Sequence, residues 1–152
     1  RIHGILLAVK SGGHNIAGKA LVDGGLVVDF NAMTDVKVNH EQLTVKVSPG
    51  ATLADLDKAT QQFDLVVPTG INSTTGIAGL TLGGGFGWTT RKFGLTIDSL
   101  RSAKLVIASG ELLEVNATQH SDLFWAIRGG GSNFGVVTEF DTKRQLIIVL
   151  TS

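Results

Sequence analysis

The residues with the clearest chemical capacity sit in glycine loops. Lys10-Ser11-Gly12-Gly13-His14-Asn15 places an imidazole between a glycine-freed backbone and a small amide side chain. Held there, it could act as a base, a metal ligand or a covalent anchor, or be a solvated loop histidine with no chemical task. The loop backbone is the second resource. Consecutive N–H groups freed by glycine form a concave nest for phosphate oxygens and need no basic side chain. Two further stretches offer the same device: Gly70, Gly76, Gly79, Gly83, Gly84, Gly85 and Gly87, then Gly129, Gly130, Gly131 and Gly135. With Gly12, Gly13 and Gly18 they hold fourteen of the 20 glycines in 152 residues, a glycine content of about 13% against roughly 7% in ordinary chains. The spacing is irregular and no repeat. Three separate clusters point to one shared ligand or one crowded junction.

Several other chemistries are excluded or disfavoured. No G-x-x-x-x-G-K-[ST] occurs, and no G-x-G-x-x-G opens a helix after a strand with an acidic residue about 20 positions on, so neither a Walker ATPase nor a Rossmann dinucleotide unit is encoded. His3, His40 and His120 lack metal-ligand spacing, and no metal site is expected. Ser11 lacks the G-x-S-x-G elbow of a serine hydrolase. Trp88 and Trp125 read as core or interface aromatics, and the sequons at Asn72 and Asn116 as accidental triplets. With no cysteine there is no disulfide framework, zinc ribbon or thiol chemistry. Thirteen Lys+Arg balance 13 Asp+Glu without a basic run, which argues against a nucleic-acid partner. No apolar stretch approaches the ~18–20 residues of a membrane span. The compartment is not fixed by these features; the lack of cysteine tilts weakly toward the cytoplasm.

Elements must position these loops. Ile5–Val9 reads as a strand feeding the first glycine loop, followed by strands over Leu26–Phe30 and Leu43–Val47. Thr52, with Asp55 three residues on, starts a helix whose Leu53, Leu56 and Ala59 share a face. Leu65–Val67 leads into the long glycine segment, and Ala103–Ala108 and Glu111–Val115 flank Ser109-Gly110 as a hairpin. A short helix over Ser121–Arg128, with Ser121 or Asp122 near its cap, stops at Gly129; strands follow at Val136–Phe140 and Gln145–Thr151. Strands outnumber helices and are interspersed with them, which gives an α+β class with mixed pairing and no internal linker. The start at Arg1 and the apolar final strand suggest part of a longer protein.

Taken together, three segments carry a resemblance: Lys10–Gly18, Thr75–Trp88 and Asp122–Thr138, with Arg91–Asp98 between the last two. They resemble the FAD-binding domain, of PCMH type, of berberine-bridge-enzyme-like FAD-linked oxidases in the vanillyl-alcohol-oxidase superfamily. The resemblance spans nearly the whole chain. It implies an α+β fold of two small mixed α/β subdomains, sheet-rich with short helices, with residues 1–152 as one FAD-binding domain and the C-terminal substrate domain lying outside it.

The cofactor site it implies comprises Lys10, Ser11, Gly12, Gly13, His14 and Asn15; Asn72, Thr74, Thr75, Gly76, Ala78, Gly79, Leu80 and Gly84; and Val136 and Val137. In such a site the first loop wraps the FAD pyrophosphate and His14 bonds to the flavin 8α-methyl carbon. Asn72 stands where doubly linked relatives have cysteine, which limits this chain to the histidyl link, with non-covalent FAD as the fallback. The implied activity takes hydride from an organic substrate onto flavin N5, with dioxygen as reoxidant; no catalytic acid or base is assigned. A non-catalytic flavin- or nucleotide-binding module, a truncated inactive fragment and a ligand-free glycine-rich domain are the alternatives. A missing C-terminal domain or an oligomer partner would complete the assembly.

Overall fold

The computed structural model describes residues 4–143 together with 145 and 146. Strands β1 (Leu7–Lys10) and β2 (Leu26–Asp29) pair in parallel, and the loop joining them carries the first glycine cluster. Next come β3 (Val36–Asn39), β4 (Thr44–Val47) and helix α1 (Leu53–Gln61). The expected capping box starts α1: Asp55 N–H donates to Thr52 Oγ1 at 3.3 Å, and Thr52 N–H donates to Asp55 Oδ2 at 2.8 Å. Leu53, Leu56 and Thr60 form its buried face.

After β5 (Leu65–Val66), the long glycine segment contains α2 (Ile77–Leu82) and α3 (Thr90–Phe93), and a single 3₁₀ turn at Thr96–Ser99 follows. The hairpin is present as β6 (Leu100–Val106) and β7 (Leu112–Asn116). Helix α4 (Ser121–Ile127), β8 (Val136–Lys143) and β9 (Gln145–Leu146) complete the order. Strand β9 pairs with β5, and the remainder of the strand expected to Thr151 lies outside the described residues.

The mixed pairing is divided between sheets. Among the described residues parallel pairing is confined to β1–β2, whereas the main sheet, ordered β3-β4-β8-β6-β7, is antiparallel throughout. Helix α3 and the 3₁₀ turn were not expected from the sequence, and three further features depart from it. Strand β3 was not expected, because Val36-Lys37-Val38-Asn39 is short and neither valine is fully buried. Helix α2 lies where glycine argues against helix. The cap of α4 itself is His120, in a left-handed conformation with φ 48° and no side-chain cap hydrogen bond, and Ser121 is the first residue of the helix beside it.

Helix α2 owes its stability to packing. Ile77 enters the core formed by Val45, Val47, Ala51, Leu53, Leu56 and Val67. Ala78 and Leu82 enter a second core with Leu105, Val115, Ile127 and Phe140. Each fully buried aliphatic or aromatic side chain contributes roughly 1.5–3 kcal/mol relative to exposure, which outweighs the ~1 kcal/mol helix penalty of Gly79. Helix α2 is therefore the wedge between the two cores.

Candidate cofactor site

Three local arrangements bring the glycine clusters together. Ser11 donates its hydroxyl to the Pro49 carbonyl at 2.6 Å, pinning the first loop to the turn before α1. The second loop is pinned to the same turn, by Leu53 N–H to Thr75 O at 3.0 Å and Ile77 N–H to Ala51 O at 2.9 Å. Gly12 and Gly76 consequently meet backbone to backbone: a Cβ on either would strike the amide nitrogen of the other. Only glycine fits an approach that close. At the far end of α2, the amides of Gly129 and Gly131 both donate to the Leu82 carbonyl, at 3.0 and 3.1 Å.

These contacts enclose a cleft of about 570 Å³, inside the ~300–1,000 Å³ range of small-molecule and cofactor sites. Twelve of the residues singled out from the sequence line it: Ser11, Gly12, Gly13, His14, Asn15, Thr75, Gly76, Ala78, Gly79, Leu80, Val136 and Val137. Four stand elsewhere. Lys10 turns back to Asp29, Nζ to Oδ2 at 2.9 Å, and this hydrogen bond, reinforced by the Asn31 amide, holds the Asp29 carboxyl below its usual range. Asn72 and Thr74 lie outside the lining, with the Thr74 hydroxyl 3.0 Å from His14 Nε2. Gly84 accepts a hydrogen bond from Ile97 N–H at 3.0 Å, tying the segment after α2 to the 3₁₀ turn.

Sequence reasoning missed Val9, Ile16, Ala17, Lys19, Ala20, Phe30, Leu82, Ser132 and Gly135, which also line the cleft. Ser132 and Gly135 lie inside the third glycine motif and were legible there. Val9 and Phe30 are strand-end residues whose place depends on the β1–β2 pairing.

The donor set suits a ligand that is part dianion and part flat apolar ring. The amides of Gly12, Gly13 and His14 make no hydrogen bond among the described residues, and unpaired amides in a loop are what a pyrophosphate takes up. Lys19 is the one Lys or Arg in the lining among the described residues, while Val9, Phe30, Leu80, Leu82 and Val137 supply apolar wall.

The family model described as FAD binding domain matches residues 1–116. The chain belongs to the FAD-binding domain family. It is 46% identical over 136 residues to an FAD-linked oxidoreductase of Dictyostelium discoideum, covering 90% of this chain and 30% of that protein. The crystal structure of 6-hydroxy-D-nicotine oxidase from Arthrobacter nicotinovorans superimposes with a TM-score of 0.93 at 37% identity, covering 95% of this chain and 32% of that one. A berberine-bridge-enzyme-like protein of Arabidopsis thaliana gives a TM-score of 0.90 at 34% identity, over 97% of this chain and 31% of that one. The chain thus spans about a third of the length of these relatives. The expected PCMH-type architecture and the FAD assignment both hold, and the open cleft with its unpaired amides fits that dinucleotide.

Proposed function

We propose that the cleft holds FAD, and that the whole protein is a flavin-dependent oxidase acting on a small organic substrate with dioxygen as reoxidant. The contact of Gly12 with Gly76, beside three unpartnered amides, carries the reading of the cleft. In this reading Gly12, Gly13 and His14 donate backbone hydrogen bonds to the pyrophosphate, and Lys19 supplies a neighbouring positive charge. Leu80 and Leu82 exclude water from the ring, and Val136 and Val137 make backbone contacts toward the adenine end. When bound, FAD supplies the hydride acceptor for substrate C–H oxidation.

His14 is the proposed anchor for a single covalent link, since Asn72 offers no thiol for a second. Flavin colour tests both levels. Colour that stays with the denatured chain supports the link, colour released on denaturation supports FAD held without it, and failure of FAD either to colour or to stabilise the chain refutes the cleft reading. His14→Ala should abolish covalent attachment; flavin still attached would show that another residue is the anchor.

A further inference from the structure

Asn72 and Thr74 lie outside the cleft lining, yet they meet His14 in a chain of short contacts. The Thr74 amide donates to Asn72 Oδ1 at 3.1 Å, which fixes that side-chain atom as the carbonyl oxygen, an acceptor only. The Thr74 hydroxyl lies 2.9 Å from the same oxygen and 3.0 Å from His14 Nε2. A hydroxyl has one proton. Only one arrangement makes every contact a hydrogen bond: the hydroxyl proton points to Asn72, and the hydroxyl lone pairs face the imidazole. In the neutral ring Nε2 then carries the hydrogen and Nδ1 carries the free lone pair.

From this geometry we infer that Asn72 and Thr74 are positioning residues which hold His14 as the Nε2–H tautomer and so direct its covalent bond to the cofactor through Nδ1. The inference rests on the reading of the cleft as an FAD site. Attachment forms a bond from Nδ1 to the ring-methyl carbon and breaks one methyl C–H bond and the Nε2–H bond. Two electrons pass to dioxygen, which takes up the two protons released and leaves as hydrogen peroxide. The Thr74 oxygen is the first acceptor in line for the Nε2 proton. Asn72 thus has a task of its own at this position: it occupies the proton that the Thr74 hydroxyl would otherwise offer to the imidazole.

The test uses the chain labelled with ¹⁵N-histidine, in which long-range ¹H–¹⁵N spectra read the His14 tautomer without cofactor and His14→Ala identifies the signal. A second readout is the flavin that stays with the denatured chain as a function of time after FAD is added. The wild type should show Nε2–H, and Thr74→Ser should keep it. Thr74→Val should weaken that preference toward the mixture of a free neutral imidazole and attach flavin about fivefold to tenfold more slowly while still binding FAD, the factor carried by one net hydrogen bond. Asn72→Ala should mix the tautomers. Thr74→Val with unchanged tautomer and attachment rate overturns the inference. FAD bound tightly but released on denaturation, with Nε2–H in place, overturns it and leaves the cleft reading standing. Failure to take up FAD at all overturns the cleft reading instead.

Discussion

Gly79→Ala separates what the fold needs from what the cofactor needs, because the two effects have opposite sign. Gly79 lies inside α2 and lines the cleft, and a Cβ there meets nothing within 4 Å. In the free chain the added methyl causes no clash and removes the entropic penalty of a helical glycine, about 0.5–1 kcal/mol. For a domain of this size that raises the melting temperature by about 1–4 °C. In the complex the same methyl occupies space assigned to FAD. Overpacking by one such group costs roughly 1–3 kcal/mol, a weakening of roughly 5- to 150-fold in affinity. Thermal melts of the free protein and fluorescence titration with FAD measure the two terms separately. A variant that melts higher and binds FAD as tightly as the wild type would refute placement of the cofactor against α2.

Other outcomes follow from the same geometry. Gly12→Ala sets a methyl 2.7 Å from Gly76 Cα, about 1 Å inside ordinary carbon contact. It should cost about 1–3 kcal/mol of stability by chemical denaturation and abolish FAD uptake by titration. Thr52→Ala removes the α1 capping box and should destabilise by about 1 kcal/mol, lowering the melting temperature by about 2–4 °C. Burial pushes the Asp141 carboxyl above its ordinary 3.8, against the pull of Arg101 and Lys46, and leaves Oδ1 without a partner among the described residues. Because its folded pKa is raised, its contribution to stability is fully present below the unfolded pKa and is lost as pH rises through the folded value. Asp141→Asn should therefore raise the melting temperature at pH 7, with the gain shrinking toward pH 4.

Local chemistry made much of this molecule legible in its sequence. Thr52 and Asp55 announce α1 because a capping box acts within four residues, and Ser109-Gly110 announces the hairpin because its turn does the same. Helix α2 stayed hidden because its evidence is tertiary. Gly76, Gly79 and Gly83 speak against a helix, and only the two cores receiving Ile77, Ala78 and Leu82 overrule them. His120 likewise gives no signal as a cap, since it satisfies no orphan amide through its side chain. At the site, the glycine loops marked themselves by composition, whereas Phe30 and Leu82 reach the cleft only through chain crossings no local pattern records. The exclusion of Asn72 and Thr74 from the lining was equally illegible, and it is what turns attention to their contact with His14.

The central claim is that FAD occupies the cleft where the glycine loops meet. Titrating the ¹⁵N-labelled chain with FAD and following its backbone amides tests this most directly. The account predicts that the signals of Gly12, Gly13, His14, Gly76, Ala78 and Val137 move together and saturate with one equivalent of FAD. Saturable FAD binding that leaves these amides unmoved, or no binding at all, would contradict it.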